Sequence, residues 1–151
     1  MTARIVWDGT PSTVITTTAT IATTAWSASA QSTTFDNTGA SDKWQLLRFV
    51  ITVTFSGAPA VGKSIGIYCS DVDVDGTSGH SLTPASGTTQ NNARLVAISS
   101  PIRTDTSVQY LIAKCASSEI KKGLFQIRND TGQTIASGLT MTVEGISSED
   151  V

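Results

Sequence analysis

Three strings in this sequence carry residue types at spacings that could do chemistry. Gly57-Ala58-Pro59-Ala60-Val61-Gly62-Lys63-Ser64 matches the phosphate-cradling pattern G-x-x-x-x-G-K-[ST] at every position. In that pattern the N–H groups of a glycine-rich turn, and of the first turn of a following helix, point at the phosphates. Asp71, Asp73 and Asp75 alternate up to Gly76, as carboxylates do where a calcium loop begins. His80, the sole histidine, comes shortly after them.

What each string can do depends on the element that positions it. A phosphate cradle needs a helix after Ser64, whereas Ile65-Gly66-Ile67-Tyr68-Cys69 alternates with a period of two and has a glycine in its middle. That predicts a strand. Gly57 to Ser64 is therefore expected to be a strand-to-strand turn, cornered by Pro59, with Lys63 solvated and no nucleotide bound. Counting from Asp71, the twelfth position of an EF-hand loop holds Leu82 in place of a bidentate carboxylate. What is left for Asp71, Asp73 and Asp75 is a weak, water-rich calcium site or a set of strand-end and turn aspartates. His80 has no Cys or carboxylate at a ligand or triad spacing, so no catalytic residue is assigned and no enzyme is expected. Apart from that calcium, no cofactor is implied.

Composition limits the partners. Charged residues make up 15% of the 151, against a usual share near 25%, and Thr, Ser, Ala and Gly fill the gaps between apolar runs. Ten basic and twelve acidic residues leave a net charge of -2 without a basic stripe, so nucleic acid is not an expected partner. No run approaches the length of a membrane helix, and Met1 to Trp7 lacks the apolar core of a signal peptide, which points to a soluble product of the cytosol. For the same reason Asn129-Asp130-Thr131 is read as a turn and not as a glycosylation acceptor. Cys69 and Cys115 sit inside strand-like runs and are expected to be buried thiols without a disulfide. So low a charge also leaves much of the surface for protein contacts.

The chain falls into two parts. Residues 1–34 are Thr/Ala/Ser-rich with sparse apolar residues, and they are expected to form an extended N-terminal arm or peripheral strands. From residue 35 to 151 short runs alternate with a period of two, strongest at Leu47, Phe49, Ile51, Val53 and Phe55, and turn residues separate them. Further runs cover Ile65 to Cys69, Arg94 to Ile98, Ser107 to Cys115, Leu124 to Arg128 and Leu139 to Glu144. The expected fold is all-β, an antiparallel β-sandwich or jelly roll. Asp71 to Asn92 reads as a long exposed loop and a contact surface. Candidate partner-binding residues are Trp7, Val14, Ile21 and Trp26 in the N-terminal tract, with His80 and Leu82 in the loop.

Thr54-Phe55-Ser56-Gly57-Ala58-Pro59-Ala60, then Asp73-Val74-Asp75-Gly76-Thr77, and finally Asn129-Asp130-Thr131-Gly132-Gln133 form a series of turn signatures. Over about Trp44 to Ile146 this series resembles small β-structured virion proteins of tailed bacteriophages. The resemblance implies a non-enzymatic virion component assembled in the bacterial cytoplasm. A capsid decoration or cement protein is the leading form, bound to the major capsid protein and homo-oligomeric, with the N-terminal arm bridging to neighbours. The alternative is a tail, baseplate or fibre-associated protein that touches the host surface.

Overall fold

A computed structural model describes residues 3–27, 32–37, 44–71, 93–116, 120 and 122–150, and every regular element among them is a strand. In chain order these are β1 (Ala3–Thr16), β2 (Phe35–Asp36), β3 (Leu46–Val53), β4 (Ile65–Asp71), β5 (Arg94–Ile98), β6 (Gln109–Ala116), β7 (Lys122–Asn129) and β8 (Thr140–Asp150). They form two four-stranded antiparallel sheets, ordered β1-β8-β3-β6 and β2-β7-β4-β5. The period-two pattern sets the faces. Along β3, Leu47, Phe49, Ile51 and Val53 are buried while Leu46, Arg48, Val50 and Thr52 are half-exposed.

Buried side chains of both sheets belong to one hydrophobic core. Phe49 of β3 meets Phe125 of β7 edge to face at 5.1 Å between ring centres, and Phe35 of β2 lies 5.7 Å from Phe125. Cys69 and Cys115 are both in the core and are not joined in a disulfide. Gly145 is buried beneath the indole of Trp44, where a Cβ would lie 1.8 Å from a ring carbon. Trp44 in turn stacks on Phe35 at 5.9 Å, so it serves the core and closes one end of it.

Of the arm or peripheral strands expected for the N-terminal tract, the described part includes a strand at a sheet edge. Residues 3–16 are the edge strand β1, paired with β8 from Ala3↔Asp150 to Thr16↔Thr140, with register shifts between Asp8 and Ser12 and between Thr13 and Ile15. The second irregularity allows the adjacent Val14 and Ile15 both to face inward, each 1% exposed. Pairing of residues 3–6 with 147–150 continues past Leu46↔Ile146, where β3 begins, so β8 runs beyond the alternating segment that ends at Glu144. Residues 17–27 then cross to the second sheet and run beside β7. Ile21 bridges Ile135, Trp26 bridges Arg128, and Ser27 exchanges bonds with Ile127 through its N–H (2.9 Å) and its hydroxyl (3.0 Å). Thr supplies extended backbone along this path, and a few apolar side chains fix it to the core.

Candidate functional site

The phosphate-like string joins β3 to β4, and β4 begins at Ile65, immediately after it. Val61 and Gly62 form the bend, with Gly62 at φ 73°, a conformation that favours glycine. Pro59 is buried and Lys63 is exposed, and the Lys63 carbonyl accepts from the Ile102 N–H at 2.8 Å. Along its other flank the Ser56 N–H donates to Thr134 O at 2.9 Å, and a Cβ on Gly57 would lie 2.8 Å from Gln133 Oε1. The Ser-Gly-Ala-Pro turn and the Asn-Asp-Thr-Gly-Gln turn are therefore packed on one another.

Asn129 organises that second turn. Its side-chain amide, fully buried, donates to the carbonyls of Ile21 (2.9 Å), Ala22 (3.2 Å) and Gln133 (2.8 Å). Its Oδ1 accepts from the Thr131 hydroxyl (2.7 Å) and N–H (3.2 Å). An amide so used is not presented for modification, and what it does is join the 17–27 tract to the turn.

The remaining candidates fall partly inside and partly outside the described residues. Asp71 ends β4 opposite Gly123; Asp73, Asp75, His80 and Leu82, with most of the 71–92 loop, lie outside the described residues. Trp7 is in β1 opposite Ile146. Val14 and Ile21, read from the sequence as anchors for a neighbour, are 1% and 3% exposed in the chain's own core. That corrects the expectation: tertiary packing uses these apolar groups internally, beside Ile15 in the core and Ala25 packed against it, because they are among the few with which the tract can hold itself down. Trp26 is half-buried on the second sheet, edge to face with Tyr68 at 4.5 Å, with the Arg128 guanidinium 5.8 Å from its ring centre.

The exposed apolar surface is elsewhere. Among the described residues six large apolar side chains are exposed, and five of them, Leu95, Ile98, Val108, Tyr110 and Ile112, lie on or beside β5 and β6. These are the terminal strands of their two sheets. Residues 99–103 connect the sheets along this side: the Ser100 N–H donates to Ile112 O at 2.7 Å, and the Ile112 N–H donates to Ser100 Oγ at 3.2 Å. At Ile112 the β6 edge is thus already occupied by the chain itself, which closes that point to an added strand. What remains available is side-chain surface.

Ser100, Pro101, Arg103, Gln109, Tyr110 and Leu111 line a pocket of about 280 Å³ on this side. Its base is rigid because buried Gln109 accepts from the Arg103 N–H (2.9 Å) and donates to the carbonyls of Arg103 (3.0 Å) and Asp105 (3.1 Å). At its mouth Asp105 accepts from the Ser107 hydroxyl and N–H and pairs with Arg103 at 3.3 Å. The Ser107 hydroxyl is the main cause that holds the Asp105 carboxyl below its ordinary value. Lys114 stands exposed at the far end of the β6 outer row. The sequence did carry a signal for this surface. Val108-Gln109-Tyr110-Leu111-Ile112-Ala113 is apolar at odd and even positions alike, more than a strand with one covered face requires.

No protein-family model matches the chain, and neither does any curated protein sequence.

Proposed function

We propose that this chain is a non-enzymatic structural subunit of a tailed-phage particle, most specifically a capsid decoration or cement protein with a jelly-roll sandwich fold. The strand order supports the fold reading. In β1-β8-β3-β6 and β2-β7-β4-β5 successive strands alternate between sheets except at β4 and β5, which are neighbours in one sheet, the order produced when two Greek keys are folded over one another, an arrangement shared by viral capsid and lectin domains. The function reading rests on the concentration of exposed apolar side chains along the β5–β6 side, on a chain with little charge elsewhere. Such a patch marks a contact surface, and a repeated shell subunit needs one. The turn signatures add the phage resemblance, and two of the three pack together at one end of the molecule. In this reading the docking surface is the β5–β6 side and not a free N-terminal arm, and assembly takes place in the bacterial cytoplasm.

The test is quantitative mass spectrometry of purified particles of the phage that encodes the chain. A copy number comparable with that of the major capsid protein is expected. A handful of copies confined to the tail would replace the shell role with the tail or baseplate one, and complete absence would remove the virion reading.

A further inference from the structure

The β5–β6 side also indicates its own partner. Strand addition is blocked at Ile112, so an extended peptide does not fit there; the surface suits a preformed apolar face. Ile98 is 58% and Tyr110 71% exposed, and with Val108, Ile112 and Pro101 they offer on the order of 400 Å² of accessible surface. Two such faces together approach the roughly 1,000 Å² that a specific interface needs. Lys114 stands at one end of the face and the Arg103–Asp105 ion pair at the other, with Arg103 also on the pocket wall, so no unpaired carboxylate is placed between the faces. A two-fold rotation about the middle of the strip sets the Lys114 end of one copy over the Asp105 end of the other. The two Lys114 ammonium groups are kept apart, as are the two Asp105 carboxylates, and each Lys114 meets an ion pair of the other copy.

We infer that two copies of this chain pack against each other through the β5–β6 side about a two-fold axis, each inserting its Tyr110 ring into the other's pocket beside Pro101. The 280 Å³ pocket is large enough for one phenol ring, and it adjoins Tyr110 itself, which an isologous exchange requires. Tyrosine is a frequent anchor of such contacts, with the ring buried and the hydroxyl at the rim. Leu95, at the other corner of β5 against Tyr68, lies outside this contact.

The inference rests on reading the chain as a repeated subunit, and its test is independent of the particle. Sedimentation equilibrium of the purified chain from about 1 to 100 µM is expected to show reversible dimers. Tyr110→Asp, on an exposed side chain, is expected to weaken dimerisation at least tenfold with an unchanged circular dichroism spectrum. Tyr110→Cys is expected to give a disulfide-linked dimer under mild oxidation, which covers the case in which the aspartate variant does not fold. A monomer throughout the range, a trimer, or wild-type association by folded Tyr110→Asp would each overturn the inference, and so would Tyr110→Cys chains that do not cross-link. A monomer that is abundant on particles removes the dimer and leaves the virion role. A dimer missing from particles does the reverse.

Discussion

The N-terminal tract and the β5–β6 side exchange the roles that their compositions suggest. Residues 10–27 are polar and Thr-rich, yet Val14, Ile15 and Ile21 lie inside the core. Residues 94–113 are rich in apolar side chains, yet Ile98, Tyr110 and Ile112 face outward. The difference lies in how many apolar groups each region has relative to the core surface open to it. A tract with few uses them all to attach itself, and its polar remainder bonds along β7 and β8. A strand apolar on both faces exceeds what one core can cover, so half its side chains are left exposed.

The largest effect that separates the two regions comes from matched truncations. Ile21→Ala is expected to cost about 2–5 kcal/mol in denaturant unfolding, since it opens a cavity in a packed core. Ile112→Ala is expected to stay within about 0.5 kcal/mol, as exposed positions do. Equal costs would mean that the tract is peripheral after all.

Next come the two buried amides. Asn129→Ala would remove one of the two donors at each of three carbonyls and the acceptor of the Thr131 N–H, and should cost about 3 kcal/mol, loosening the 17–27 tract in hydrogen exchange before the strands. Gln109→Ala acts on the pocket floor, where the bonds are nearer solvent, and about 2 kcal/mol is expected from the same measurement. If Gln109 proved the costlier of the two, the β5–β6 side would be the more rigid region.

These amides also show how far the sequence could be read. Strands β3 to β7 and their covered faces were legible because alternation is a local property, and so was the turn at Gly57 to Ser64, through the strand after it. The partnership of β1 with β8, and the role of Asn129 in joining the 17–27 tract to the turn after β7, were not legible. They join residues more than a hundred positions apart, and a Thr-rich segment looks the same whether it lies on a neighbour or on its own sheet. The exposed apolar surface was missed for a related reason: an apolar run shows that both faces are greasy, and only the sheet order shows that one of them is left uncovered.

Thr24 allows a smaller test on the tract. A β-branched residue at φ 63° is strained, and the position is held there by its N–H bond to Asn129 O at 2.7 Å. Thr24→Gly is expected to raise stability by up to about 1 kcal/mol, the strain relieved exceeding the added freedom of the unfolded chain. A loss of stability would show that the Thr24 side chain holds the turn.

The smallest effect lies at the opposite region, in the titration of Asp105. The Ser107 hydroxyl, then the Ser107 N–H and Arg103, favour its carboxylate and hold the folded value below 3.8, against a lesser upward pull from burial. A depressed folded value means that the stabilisation is fully present above the unfolded value and is lost as pH falls through the folded one. Ser107→Ala is therefore expected to move the Asp105 midpoint upward in a carbon-detected NMR titration, with little change in stability at neutral pH. Concentrating the wild-type protein should move the midpoint further down, because the proposed two-fold contact brings the Lys114 end of the second copy over this carboxylate. A midpoint that falls with concentration in wild type but not in Tyr110→Asp would tie the acid end of the strip to the same contact as its aromatic centre. A midpoint indifferent to concentration would leave Asp105 outside that contact, its shift owed to Ser107 and Arg103 alone.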